Sequence, residues 1–369
     1  MIVYMTPSQS LSPIPHENLS CEFLLTNSCN MNCSYCIAKK LPGPTMTSEI
    51  GRKAIDMFLY LAEGGKTIEI TFSGGEPLSD FLILKDLVSY ADENIRAAEM
   101  QPYFVLKTNG TILNQEIIEF IQMHHMKVVI SIDGASNTHD KHRKTITGDE
   151  THSNVVRNIL NLLYNKISCV ASITVHPDSS ALIMDNVRYL HSLGLEQFDI
   201  GPAYGTVVWA DTDIINLAQS LLDVADYIRE MNAKGCGIEI GPLYRESEHV
   251  NDQLSDSWGC HAASTNLAFL PNGQITGCSA LAMGVLQFPN LVLGDVFDGL
   301  NQLAVDNLLE VAQANRAQRQ TCHKCDSASN CSGGCLAINY STSGEALTPP
   351  ALYCHTISTI PKAWRRAWT

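Results

Sequence analysis

The chain has 369 residues, 45% hydrophobic and 17% charged, enough for two or three domains at roughly 100–200 residues each. Its formal charge of −14 lacks the basic footprint of a nucleic-acid binder, so no nucleic-acid partner is expected. The 13 cysteines are too sparse for a disulfide scaffold, which reaches roughly 8–10% of a short chain.

The first residues, MIVYMTPSQSLSPIPHENLS, have no basic stretch followed by an apolar one, so they do not read as a secretory signal. No run of about 18 apolar residues occurs, so no membrane span is expected. The expected location is the cytoplasm, where clustered thiols bind metal or do redox chemistry more often than they form disulfides.

After an N-terminal extension over 1–20, short runs rich in β-branched and aromatic residues read as strands at 21–26, 67–72, 103–108, 127–132, 169–175 and 197–200. Helical spacing fills the intervals. In 48–63, Ile50, Ala54, Met57, Phe58 and Leu61 share a face and Gly64 supplies a stop. Further helices are expected at 79–97, 114–124, 152–164, 182–193 and 213–233. Six strand–helix units in this order predict an α/β fold, a parallel sheet in a partial (β/α)6 TIM-like barrel. The loops at the carboxyl ends of the strands then form the site.

The barrel is expected over 21–212, a bridging region over 213–258 and a small Cys-rich domain over 259–369. In that last region one helix is expected, near 299–318.

Directly after the first strand come Cys29, Cys33 and Cys36, a C-x3-C-x2-C motif. Three thiolates so close together suit one inorganic centre. A cubane iron–sulfur cluster normally takes four cysteines, so three would leave an iron open. Zinc completed by a distant residue, or unligated thiols, are the alternatives. The second strand runs into Ser73-Gly74-Gly75-Glu76-Pro77. Paired glycines let backbone approach a ligand and Glu76 can accept from an ammonium group; a strand-to-helix turn opened by Pro77 is the structural alternative. Later strands close on Thr108-Asn109-Gly110 and Ser131-Ile132-Asp133-Gly134, followed by His139-Asp140 and Arg143. In the Lys141–Lys144 run, Lys141 and Lys144 read as a solvated basic face.

On the cysteine motif with its aromatic Tyr35, the GGEP segment and the order of the later strand ends, the chain resembles the radical S-adenosylmethionine (SAM) superfamily. That resemblance implies a SAM-binding [4Fe–4S] cluster on Cys29, Cys33 and Cys36. It implies that Ser131 and Arg143 hold the methionine carboxylate, a contact suited to a guanidinium. Tyr35, Gly74, Gly75, Glu76, Pro77 and Asn109 belong to the same cofactor site, with Asp133 at the ribose. Ile200 lies where the family packs adenine, or is simply core. Reductive cleavage of SAM would give a 5′-deoxyadenosyl radical that takes hydrogen from an unactivated carbon, while the protein positions that carbon and excludes water.

Seven cysteines near the C-terminus, Cys260, Cys278, Cys322, Cys325, Cys331, Cys335 and Cys354, resemble the SPASM domain of such enzymes, with two auxiliary [4Fe–4S] clusters; zinc ribbons are the alternative. The resemblance assigns Cys322, Cys325, Cys331 and Cys354 to one cluster, and Cys260, Cys278 and Cys335 to the other. The second set is one thiolate short, which leaves an open iron or a non-cysteine ligand such as the adjacent His261. Cys21, Cys169 and Cys236 read as packing.

The expected function is modification of a ribosomally made peptide, by a C–C or C–S crosslink or another change. The alternative is a sulfatase-maturase-like, formylglycine-forming enzyme. Those usually carry an acidic residue after the second auxiliary cysteine, where this chain has Ser279, a poor base unless activated. A zinc-stapled (β/α) protein without activity is the reading of another class. No catalytic base is assigned. The 28 residues before Cys29 are too few for a fused leader-recognition domain of roughly 80 residues. The expected partners are a peptide or protein substrate, held either by a separate leader-peptide recognition protein or by the barrel and C-terminal domain directly, and an electron donor such as flavodoxin or ferredoxin. Strand addition at a sheet edge is one way to hold the peptide.

Overall fold

A computed structural model describes residues 18–38, 45–62, 65–205, 207–241, 260–314, 318, 322, 325 and 334–368. Strands β1 (Asn18–Thr26), β2 (Thr67–Gly74), β3 (Gln101–Thr108), β4 (Lys127–Ser131), β5 (Cys169–Val175) and β6 (Gln197–Pro202) lie side by side in chain order, each pair parallel. Helices α1 (Ser48–Leu61), α2 (Phe81–Ala97), α3 (Gln115–Met123), α4 (Ser136–His142), α5 (His152–Tyr164) and α6 (Ile183–Ser192) make the crossovers. The helix starts follow local chemistry: Thr47 caps α1 by accepting from the Ile50 N–H, and Asn114 caps α3 by accepting from that of Ile117.

Alternation along each strand separates two faces. One faces the helices and is apolar; the Phe23 ring lies 5.6 Å from Phe72 and 5.1 Å from Phe269, all three fully buried. The other lines a cavity and carries polar residues at intervals: Glu22, Ser73, Lys107, Ser131, Ser172 and Asp199.

The sheet continues beyond the six expected strands. After α7 (Asp211–Ala233), β7 (Glu239–Ile240) pairs in parallel with β6. At the other side β8 (Asn266–Phe269) pairs in parallel with β1, and β9 (Gln274–Thr276), β10 (Val292–Asp295) and β11 (Gly299–Leu300) follow antiparallel. The result is a mixed sheet in the order β11-β10-β9-β8-β1-β2-β3-β4-β5-β6-β7, open at both ends among the described residues.

The region after 259 is thus more regular than the sequence pattern suggests. Among the described residues it adds four helices, α8 (Ser279–Ala282), α9 (Gln302–Ala312), α10 (Leu336–Ser343) and α11 (Ala351–Trp368). Only α9 was expected, and over a longer range. Helix α11 packs along α7, where Arg366 Nε donates to Asp226 at 2.6 Å. Among the described residues no helix is long and apolar enough to cross a membrane.

Candidate active site at the cysteine loop

Cys29, Cys33 and Cys36 all line one cavity of about 490 Å³ at the carboxyl ends of the strands, a volume suited to a small ligand or cofactor. Their loop is gripped from two sides by backbone hydrogen bonds. On one side Gly75 N–H donates to Thr26 O at 2.6 Å and Glu76 N–H to Ser28 O at 2.9 Å. On the other, Asn32 N–H donates to Lys144 O at 2.8 Å, Ser34 N–H to His142 O at 3.1 Å and Ile146 N–H to Asn30 O at 3.2 Å.

The first grip explains the paired glycines. Gly74 has φ +125°, and a Cβ there would lie 2.5 Å from Thr26 O; at Gly75 it would lie 2.1 Å from Ser28 O. Both glycines line the cavity, yet the close approach they permit is to the chain entering the cysteine loop.

Glu76 holds the same junction. It is fully buried and accepts from Leu78 N–H at 3.0 Å, Thr108 Oγ1–H at 2.8 Å and Asn109 N–H at 2.7 Å. Burial pushes its carboxyl up to about 7, against these three donors, which favour the ionised form. Pro77 opens a 3-10 turn, Pro77–Asp80. Neither residue is on the cavity wall.

A second buried hub sits under the loop. The Asp133 carboxylate accepts from Arg143 Nε at 2.9 Å, from Thr174 N–H at 3.0 Å and from the Tyr35 hydroxyl. The Arg143 guanidinium lies 5.4 Å from the Tyr35 ring centre and lines the cavity with Ser131. Asp133 stands behind them and is 2% exposed, which places it as the partner of Arg143. His139 fixes the Arg143 backbone. Its Nδ1 accepts from Asp133 N–H at 3.4 Å, its Nε2 lies 3.0 Å from Thr151 Oγ1, and that hydroxyl donates to Arg143 O at 2.7 Å. Burial, then the Arg143 charge, bring His139 down to about 4, so the ring is neutral and its Nδ1 is free to accept.

The Asn109 amide donates to Asn30 at 2.8 Å and to Cys29 Sγ at 3.6 Å; Met31 N–H reaches the same sulfur at 3.4 Å. Ile200 is 5% exposed and belongs to the core. Its neighbours Asp199 and Gly201 face the cavity, as strand alternation requires. Lys141 is tied to Asp178, which also receives His142 Nε2 at 3.1 Å. His142 Nδ1 pairs with Ser34 Oγ at 2.8 Å, a further brace on the loop.

The cysteine donors fit an iron–sulfur cluster: three thiols of one short loop line one cavity, and Cys33 is close enough to Cys29 and Cys36 to act on them electrostatically. Burial pushes Cys33 up to about 11 and raises Cys29, so these thiols ionise at neutral pH only beside a cation.

Cys260, Cys278 and Cys335 form a second group, close enough to act on one another electrostatically. Burial takes Cys278 up to about 12 and also raises Cys260 and Cys335. Cys278 precedes α8 and Cys335 precedes α10. Cys322 and Cys325 share a turn, with Cys325 N–H donating to Cys322 O at 3.1 Å, and Cys354 lies on α11. Cys331 lies outside the described residues.

The sequence reading passed over one feature of the wall, the Glu22–Lys107 pair, with Ser73 and Ser279 beside it. A charged residue inside an otherwise apolar strand run, Cys21-Glu22-Phe23-Leu24 or Val105-Leu106-Lys107-Thr108, was the available signal.

Residues 23–190 match the radical SAM superfamily. The radical SAM cyclopropyl synthase TigE of Paramaledivibacter caminithermalis is 19% identical over 85% of this chain and 67% of its own length. A serine-type anaerobic sulfatase-maturating enzyme of Klebsiella aerogenes is 23% identical over 97% of this chain and 91% of its own. Other relatives are matched over only 37% to 45% of their length. Native anSMEcpe, solved with bound AdoMet and the Cp18Cys peptide, superposes with a TM-score of 0.79 at 19% identity, covering 95% of this chain and 99% of that one. At that identity the likeness is one of fold.

Proposed function

We propose, from the premise that the chain carries a radical SAM domain over residues 23–190, that the protein is a peptide-modifying radical SAM enzyme. The observation that carries this is the cysteine loop clamped between the Gly74–Glu76 segment and residues 142–146, open to the cavity. In this reading Cys29, Cys33 and Cys36 hold a [4Fe–4S] cluster with one iron left for SAM. When bound, that pair supplies one-electron cleavage of the sulfonium and hence hydrogen abstraction from an unactivated carbon.

The chain's own residues then have distinct tasks. Arg143, its Nε on Asp133 and its backbone fixed through Thr151 and His139, offers its remaining N–H groups to the methionine carboxylate, with Ser131 beside it. Gly74, Gly75 and Asn109 present backbone and amide at the same wall. Tyr35 supports the guanidinium. Glu76, Pro77 and Asp133 act one layer back, by holding these groups in place. The cavity lining, which includes Gly201 and Pro202 but not Ile200, supports these two as the surface for adenine.

The same reading divides the chain into a barrel at 21–212, a bridge at 213–258 and a SPASM region at 259–369. Two auxiliary clusters would rest on Cys260, Cys278 and Cys335, and on Cys322, Cys325, Cys331 and Cys354. The mutual influence of the first three supports their grouping. A peptide or protein is the substrate class, served by an electron donor such as flavodoxin or ferredoxin and held either by a separate leader-recognition protein or by the barrel and C-terminal region directly.

Anaerobic incubation with SAM, a reductant and small peptides encoded beside the gene, read by mass spectrometry, tests the proposal. Loss of two hydrogens from a peptide indicates a crosslink. Deuterium gain from heavy water without loss indicates epimerisation. Peptides left unchanged, with SAM consumed or not, would reject it.

A further inference from the structure

We propose that Glu22 and Lys107 form an anchor for the substrate's peptide backbone, an inference that rests on the peptide-modifying reading above. Lys107 Nζ on β3 reaches Glu22 Oε2 on β1 at 3.0 Å, passing over β2, where Ser73 Oγ donates to Glu22 Oε1 at 2.5 Å. The Ser279 hydroxyl also reaches Glu22. All four residues line the cavity that the cysteine loop lines. Two residues beyond Lys107, Asn109 contacts Cys29 Sγ; directly before Ser279 stands Cys278. The pair therefore sits on the cavity wall between the cysteine loop and Ser279, the residue that follows Cys278.

An ion pair is an expensive way to fill a barrel interior, since well-packed apolar residues often do as well or better. What it adds is a set of directed polar groups. Lys107 carries three donors and gives one to Glu22; its side chain is 46% exposed, so the others point where a ligand can use them. The Glu22 side chain is 15% exposed and, with about four acceptor sites on a carboxylate, keeps room for one more donor. The pair is neutral overall. A free carboxylate or ammonium would meet a like charge alongside its partner. A residue in extended backbone does not: its own C=O accepts from Lys107 while its own N–H, which points to the same side, donates to Glu22. The site thus fits backbone amide, whatever the side chain, and positions the neighbouring residue toward the cysteine loop.

Peptides encoded beside the gene, with both termini blocked, are titrated anaerobically into SAM-loaded holoenzyme by calorimetry, and KM and kcat are measured in parallel. Lys107→Met should raise Kd and KM at least about tenfold, in line with losing a charged hydrogen bond, with kcat changed much less. Lys107→Arg, which keeps charge and donors, should recover most of the binding. Glu22→Gln should weaken binding in the same way. Because Lys107 is half exposed, its variants remain informative even where Glu22→Gln does not fold.

Kd and KM within about twofold of wild type for Lys107→Met would overturn the anchor. So would a fall in kcat alone, which would assign the pair to proton transfer instead. The calorimetric arm does not need turnover. Peptide bound through the pair without SAM cleavage would contradict the radical reading and leave the anchor standing; turnover indifferent to both variants would do the reverse.

Discussion

The cysteine loop and the C-terminal cysteines differ in how far apart in the chain their sulfurs lie. Around the loop the protein supplies the restraint: residues 26–34 receive or give backbone hydrogen bonds to the Gly75–Glu76 and 142–146 segments, and Cys29 Sγ accepts from Met31 and Asn109. In the C-terminal region Cys278 and Cys335 stand at helix starts, each with backbone N–H groups on its sulfur, and Cys322 and Cys325 share one turn, so the sulfurs come from separate segments. The loop is built before its cofactor arrives. In the proposed reading, the C-terminal set gains links between its separate segments from its cofactor, as small metal-bound folds do.

The largest effect tests that contrast directly. Changing Cys29, Cys33 and Cys36 together to Ala should remove about four of about a dozen irons, one cubane in three, and abolish SAM cleavage. The remaining brown colour should persist. Stripping all iron should leave hydrogen exchange at Asn32 and Ser34 slow while α10 and α11 lose protection; equal loss in both regions would erase the distinction.

Breaking the hub comes next. Asp133→Asn leaves the buried Arg143 charge without its partner and should cost about 3–5 kcal/mol in denaturant unfolding. A loss below about 1 kcal/mol would mean that Thr174 and Tyr35 suffice.

His139 supplies a pH test. Its folded-state value is depressed from 6.5 to about 4, so the unfolded chain takes up a proton first as pH falls. Stability from the neutral ring is fully present above about 6.5 and is lost progressively down to about 4, by about 3 kcal/mol in all. His139→Gln should flatten that slope in a pH series of melting curves.

The smallest effect expected is for Gly75→Ala. A Cβ 2.1 Å from Ser28 O has to push the loop aside, for about 1–3 kcal/mol. The iron content of the loop should fall with it, while the C-terminal clusters load normally.

What could be read from sequence follows from how local each cause is. Strands β1 to β6 are largely apolar runs separated by helices with local start signals such as Thr47 and Asn114, so their number and order were legible. Strands β8 to β11 are two to four residues long. They exist because β1 offers β8 a free edge, a contact between residues more than 240 positions apart that no local pattern encodes. Helix α11 was hidden by Pro361 and by a run of Thr and Ser, poor helix formers; its packing on α7 overrides that preference.

At the site, the cysteine spacing and GGEP segment announced themselves. The layering did not. That Glu76 and Asp133 lie behind the wall while Glu22 and Lys107 lie on it depends on strand register, and on which face each residue takes.

The most direct measurement is the yield of 5′-deoxyadenosine from SAM by anaerobically reconstituted, dithionite-reduced protein, set against the Cys29, Cys33 and Cys36 to Ala variant. The account predicts 5′-deoxyadenosine from the wild type and none from the variant. Equal yields from both, or a colourless wild-type protein carrying zinc and leaving SAM intact, would contradict it.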